Sequence, residues 1–512
     1  MPQNTAPGAT GHPETPYTDS VREILADYDQ PVFYFSRTVT NLVGLPRTLK
    51  NFFFVSLTDS WGGKNHHSFT PSNVPASDIS GFEGSVNWLL RNTEVQEFVR
   101  AKTPDGYTPF IVAAKFDAES ERLCKALGYR LIMPDVTLRK HLDSKLVTTD
   151  LGNRGGVPSV PNILTQADSW ADLREQAETA GLGSDLVVQL AYGDSGATTF
   201  FISDEATWQN VSAQVRGVTI KAMKRINHYP LATEAVIMER GTVIGPTLRE
   251  ITGHKELTRY RGGWVGSELY PDLVTAEVHQ KITEQIQRFC QELRKEGYRG
   301  ILEVSTLLDT DTNEVYLGEL NPRLSGSSAH SNLTIHGQTL PLFAFHALQF
   351  SGVDLSPETI EGVNEERQRA LADQTWTTLV IQHNEFDHRL ITQEPESGRY
   401  RITDSFELEA IGSEPDWLDL NSPDEAYLLA GAPVDSEIGI GSFLCFLMVQ
   451  RRGQEEHFAL TADAQRLVRA SKKLFRARKQ PLIHRYWRAL VRRIRREYTA
   501  RFTSSPGAKH SE

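Results

Sequence analysis

Apolar and polar positions fall into three successive patterns along the chain. After a polar opening, the runs PVFYF, NFFFVSL and TPFIVAAKF are continuous apolar stretches of strand length, which read as strands buried on both faces. AESERLCKALG has the helical period and stops at Gly128, and YRLIM follows as another short strand. Strand–helix alternation of this kind predicts a parallel α/β sheet over residues 31–140.

From residue 141 the pattern changes. LDSKLVTTDLGNRGGVPSVPNIL predicts a helix and then a Gly-Gly-Val-Pro turn. SDLVVQLAYGDSGATTFFIS reads as strand, glycine-bearing loop, strand, and LATEAVIMERGTVIGPTLRE as a hairpin with Gly241 at its tip. A long helix over about 273–296 leads into GILEVSTLLDTDTNEVYLGELNPR, two antiparallel strands around a polar turn. Residues 341–350 read as a helix, which closes an α+β domain over 141–350. A charged linker, SPETIEGVNEERQRALADQ, precedes TWTTLVIQH, GRYRI, FELEAI, EAYLLAG and GSFLCFLMVQ. These predict a small β-rich module over 351–470.

A length of 512 residues leaves room for two to four units of about 100–200 residues each. No apolar run approaches the ~20 residues of a membrane helix. The opening MPQNTAPGATGHPETPYTDS has neither a charged start nor an apolar core, so residues 1–30 are expected to be a disordered tail rather than a leader. Cys124, Cys290 and Cys445 are too scattered for a disulfide framework or a metal cluster, which favours a reducing cytoplasmic setting. The formal net charge of −11 weighs against nucleic-acid binding.

Candidate chemistry concentrates in YLGELNPRLSGSS, residues 316–328. Glu319 and Asn321 share one face of their strand, and antiparallel pairing can bring Glu303 beside them. Two carboxylates and an amide oxygen on one face call for a cation. Mg²⁺, or Mn²⁺ in its place, suits one or two carboxylates and completes its shell with phosphate oxygens and water. Arg323 offers a planar fork for a phosphate or carboxylate. In the loop GDSGATT, Gly193 and Gly196 allow backbone N–H groups to converge on an anion, and Ser195, Thr198 and Thr199 add hydroxyls. Lys145 is a second cation candidate, although a single helical lysine is more often solvated.

Taken in order, "DSK", "GGVPSVP", "GDSGATTFFI" and "ELNPRLSGSS" resemble the ATP-grasp superfamily over residues 31–350. The resemblance implies ATP held between two α+β lobes. It places Mg²⁺ on Glu303, Glu319 and Asn321, and Arg323 near the phosphates and the acyl substrate. Lys145 falls on the first ATP-binding lysine, and the loop 193–199 on the hairpin over the phosphates. Leu317 falls beneath adenine, with Met223 in the hinge segment Ile220–Lys224. One departure stands out: the strand before the loop reads VVQL, with Gln189 where the family carries a lysine. Either Lys221 or Lys224 supplies the missing charge, or ATP is held more weakly. The β-rich module looks like the C-terminal domain of the carboxylase-type branch.

The resemblance implies an ADP-forming carboxylate–amine ligase acting through an acyl phosphate on small-molecule substrates. Two alternatives remain open: a biotin-carboxylase-like enzyme with its carrier on another chain, and an ATP-binding scaffold that has lost catalysis. His254, His330 and His336 are general-base candidates by position. Arg249, Arg259, Arg261 and Trp264 are candidates for recognising an acidic or aromatic group. Twelve Lys/Arg against one acid, Glu497, fill residues 472–502, and Ile483, Trp487, Leu490, Val491, Ile494 and Tyr498 make an apolar stripe on this basic helix. It can lie on an anionic membrane, but docking on the acidic body of this protein or in a homodimer is the preferred expectation.

Overall fold

The computed structural model describes residues 14–75, 79, 81–193, 198–259, 262–335 and 337–479. The N-terminal apolar runs form a five-stranded parallel sheet in the order Ser68–Phe69, Phe52–Ser56, Val32–Ser36, Phe110–Val112, Arg130–Leu131. Every residue of Val32–Ser36 and Phe52–Ser56 is buried, as expected of strands in a parallel sheet with both faces covered. The helix Ala118–Ala126 starts at Asp117, whose carboxylate accepts from Ser120 N, and ends before Gly128 at φ 73°.

The second sheet is antiparallel and has ten strands. From one edge it runs Val315–Asn321, Gly300–Asp309, His228–Ile237, Thr242–Thr252 and Trp264–Leu269. It continues without a break through Trp376–His383, Ser442–Val449, Glu425–Ala430, Gly398–Ile402 and Leu408–Gly412. The strands expected as a separate β-rich module therefore extend the sheet that begins at the acid-bearing hairpin. The long amphipathic helix Ala276–Lys295 buries Ile282, Ile286, Phe289 and Leu293 in a core shared with Leu302, Val304, Leu308 and Leu317 of that hairpin.

A smaller four-stranded antiparallel sheet, Asn162–Thr165, Ile220–Lys224, Leu186–Leu190, Thr199–Ile202, forms its own lobe. One face buries Leu186, Val188, Ile202, Ile220 and Ala222 against two short helices. Strand alternation turns Gln189, Lys221 and Met223 to the other face.

Three expectations need correction. The tail predicted over residues 1–30 includes a helix, Pro16–Ala26, and the charged linker is a helix, Pro357–Leu371. The two explain each other. Glu366 accepts from the backbone N–H groups of Tyr17 (3.1 Å) and Thr18 (2.8 Å), so one helix caps the start of the other. Local polarity hid both helices, since only their contact supplies the partner. Within the predicted basic C-terminal segment, Arg476–Lys479 is a strand paired with Arg389–Gln393. The apolar stripe from Ile483 to Tyr498 lies outside the described residues.

Candidate active site

The acid hairpin sets the geometry. Glu303 stands directly opposite Asn321 on one side and Glu234 on the other. Cross-strand partners point to the same face, so these side chains converge. Asn321 Nδ2 donates to Glu303 Oε1 at 2.9 Å, and Arg323 Nη2 donates to Asn321 Oδ1 at 2.7 Å. The turn made by Pro322 thus folds Arg323 back along the strand end and orients the amide.

Lys145, the first residue of the helix Lys145–Arg154, reaches this face. Its Nζ lies 2.6 Å from Glu319 Oε2 and 3.3 Å from the Gly193 carbonyl. Its backbone N–H also donates to the Ala191 carbonyl at 2.8 Å. Helix start, glycine loop and acid hairpin therefore meet at one side chain. Lys145 is only 6% exposed, unlike the solvated lysine expected of an isolated helical position.

Across from it, Lys221 is 2% exposed and stands opposite Gln189. Burial and then the charge of Lys145 pull its ammonium down to about 8, with Glu319 opposing. Gln189 Nε2 donates to Thr199 Oγ1 at 3.2 Å. Met223 lies on the same face of this small sheet. Thr198 packs so closely on Gly193 that any Cβ there would collide with its hydroxyl. Ser195 and Gly196 lie outside the described residues, as do Arg261 and His336.

Sequence reading missed Glu250, on the central strand Thr242–Thr252. Burial, then Glu303 and Glu319, push its carboxyl up from the ordinary range. Glu234 is fully buried and is pushed up to about 7 by burial and by Glu303. Both are single acids inside apolar strands, and only register reveals their neighbours. Glu234 Oε1 accepts from Ser325 Oγ (2.8 Å) and Ser328 Oγ (2.6 Å). Two of the three hydroxyls of LSGSS, those of Ser325 and Ser328, are therefore committed to a buried carboxylate, and the Ser327 hydroxyl is buried without a partner among the described residues.

Leu317 is not on this face. A register shift after Val304 pairs it with Thr306, and it is 1% exposed in the core beside Leu151 and Val157. The residue that shares the acid face two positions beyond Glu303 is Ser305. Of the remaining candidates, His330 is buried and pulled down to about 4, and His254 lies 3.1 Å from Gln454 Oε1. Arg259 stacks on Phe386, and Trp264 covers Gly326.

Among the described residues no group of three His, Cys, Asp or Glu side chains is placed to hold a metal by itself. Glu303 and Glu319 with the Asn321 amide are instead the candidate donors on this face. Burial raises Glu250 first, and the added repulsion from Glu303 and Glu319 marks an excess of acid on this face. That donor set fits a hard divalent cation whose remaining ligands come from phosphate and water.

No protein-family model matches the sequence, and none of the curated proteins compared with it matches. Solved structures do. The biotin carboxylase–β,γ-ATP complex from Campylobacter jejuni aligns at TM-score 0.59 and 12% identity, over 88% of this chain and 92% of its own. The biotin carboxylase domain of 2-oxoglutarate carboxylase from Hydrogenobacter thermophilus aligns at TM-score 0.55 and 12% identity, over 88% and 91%. N5-carboxyaminoimidazole synthase from Aspergillus clavatus, solved with ADP and 5-aminoimidazole ribonucleotide, aligns at TM-score 0.52 and 12% identity, over 87% and 100%. These likenesses define the class of fold. The chain has the ATP-grasp fold, preceded by a parallel α/β sheet and followed by β-rich structure.

Proposed function

We propose that the chain is an ATP-dependent, ADP-forming ligase that joins a small carboxylate to an amine through an acyl phosphate. The observation that carries this reading is the meeting of Lys145 with Glu319 and the Gly193 carbonyl. It brings a buried cation, a carboxylate and a glycine loop to the point where the two lobes face each other.

In this reading Lys145 and Lys221 hold the phosphate oxygens of ATP, and Gln189 and Thr199 donate beside them. Lys221 supplies the charge that Gln189 lacks. It is buried and faces the cleft, whereas Lys224 is exposed on the opposite parity of its strand. Glu303, Glu319 and Asn321 would hold Mg²⁺, which when bound neutralises charge on the phosphates. The substrate carboxylate takes the γ-phosphoryl group and ADP leaves. Arg323 stabilises the charge on the transferring group, and the Asn321 amide keeps its fork in place. The amine then attacks the acyl carbon, phosphate leaves, and the amine gives up a proton.

A carboxylase reading has support in the biotin carboxylase likenesses, at the level of fold. ADP release separates the readings. Full-length protein is incubated with ATP, Mg²⁺ and a panel of amino acids and carboxylates, or with bicarbonate and biotin. Amine-dependent ADP supports the ligase. ADP that requires bicarbonate and biotin supports a carboxylase, and ATP binding without turnover in any mixture supports a scaffold.

A further inference from the structure

The rear of the ten-stranded sheet holds a second cavity. Tyr229 pairs with Leu308, and Leu231 pairs with both Thr306 and Arg249, so these residues share the face opposite Glu303 and Glu250. Together with Tyr270, Leu273 and Arg452 they line a cavity of about 440 Å³. Arg249 is 2% exposed, and Arg452 stacks on Tyr270 at 3.9 Å.

The arginines are only partly satisfied where they lie, although the Arg249 guanidinium packs on the rings of Tyr229 and Phe458. Arg249 Nε, Arg452 Nε and Arg452 Nη2 are buried and have no hydrogen-bond partner among the described residues. Glu268 is the buried acid beside them, yet its oxygens are committed elsewhere. Oε2 accepts from Gly453 N (2.8 Å) and Gln454 N (3.1 Å), and Oε1 accepts from Gln454 Nε2 (3.2 Å). Arg249 Nη1 lies 3.7 Å from Oε1, an ion pair without a hydrogen bond. Asp272 and Glu456 also line the cavity, but both are exposed, and the Glu456 contact is its backbone carbonyl, which accepts from Arg249 Nη2 and Tyr229 Oη. Unpaired buried guanidinium N–H groups cost free energy that an oxyanion recovers.

The rest of the wall is apolar, supplied by Leu231, Leu273, Val274 and Leu308. Beyond Tyr270 and Leu273 it adjoins a neighbouring cavity of about 290 Å³ lined by Ile244, Ile282 and Ile286. A charged mouth at the arginines and an apolar extension behind it select a particular shape of ligand.

We propose that this rear cavity binds a small organic carboxylate, its head on Arg249 and Arg452 and its apolar body against Tyr270 and Leu273. The site lies on the other side of the sheet from the candidate active site and does not depend on the ligase reading. The full chain is titrated with hexanoate by isothermal calorimetry, with inorganic phosphate as a comparison probe and ATP binding followed in parallel. Saturable hexanoate binding is expected, weakened tenfold or more by Arg452→Gln. Leu273→Trp, which fills the cavity and leaves both arginines, should abolish it. ATP affinity stays unchanged in both variants, which also reports that they fold. Absence of saturable hexanoate binding overturns the proposal, as does undiminished binding by Arg452→Gln. Phosphate binding without hexanoate binding overturns it too, since it removes the role of the apolar wall.

Discussion

Gln189 and Lys221 stand directly opposite each other on adjacent antiparallel strands, both facing the cleft. The ammonium of Lys221 is already pulled down by burial and by Lys145. A lysine in place of Gln189 would add a cation to this pair. Gln189→Lys should therefore lower the melting temperature of the ligand-free protein by several degrees while leaving ATP affinity unchanged or tighter. Thermal melts with and without ATP check this. A large loss of ATP affinity in a folded variant would show that the amide has its own role.

Glu319→Ala should leave the fold intact, because the side chain is 36% exposed and Lys145 keeps the Gly193 carbonyl. ATP turnover should fall by roughly 10²–10³-fold, the usual loss when one charge-stabilising group is removed. Steady-state ADP release with circular dichroism as the folding control measures it. Turnover close to that of the unaltered protein rules out Glu319 as a metal ligand.

Lys221→Met separates binding from stability. A buried ammonium is costly to desolvate, and methionine has nearly the same reach. The variant should melt at the same or a higher temperature, yet bind ATP at least tenfold more weakly. If calorimetry shows equal ATP affinity, Lys221 is structural.

His346 gives a pH dependence remote from the cleft. Its Nδ1 accepts from Ile301 N (3.0 Å) and its Nε2 donates to the Ile132 carbonyl (2.7 Å), which fixes the neutral ring. Burial pulls it down to about 4, against about 6.5 in the unfolded chain. Below 6.5 the unfolded chain takes the proton and the folded one does not. The stability contributed by neutral His346 is thus complete above pH 6.5 and is lost as pH falls toward 4. His346→Gln should flatten part of that slope in urea midpoints measured from pH 7.5 to 4.5, by on the order of 1–3 kcal/mol across the window. A slope identical to that of the unaltered protein would contradict the assignment.

Gly326 lies under the indole of Trp264, where any Cβ would collide with the ring. Gly326→Ala should cost about 1–3 kcal/mol, the usual cost of overpacking, read as a lowered urea midpoint. Gly326→Ala combined with Trp264→Leu should recover much of the loss.

What the sequence determined by itself was local. Unbroken apolar runs such as NFFFVSL mark buried parallel strands, because both faces of such a strand must be apolar. The 3.6-residue period of Ala276–Lys295 marks its helix, and the alternation in VYLGELN puts Glu319 and Asn321 on one face. These are short-range consequences of backbone geometry and burial. Tertiary structure decided the rest. The one-residue register shift after Val304 turned Leu317 into the core, and no spacing in the sequence announces such a bulge. Glu250 and Glu234 acquire their raised pKa values from strands far away in the chain, and Lys145 is buried by a loop and a hairpin that follow it by 48 and 174 residues. Pro16–Ala26 and Pro357–Leu371 are ordered by each other, through one glutamate that supplies the acceptor a helix start lacks. Electrostatics and capping act through space, so their partners appear only when the chain has folded.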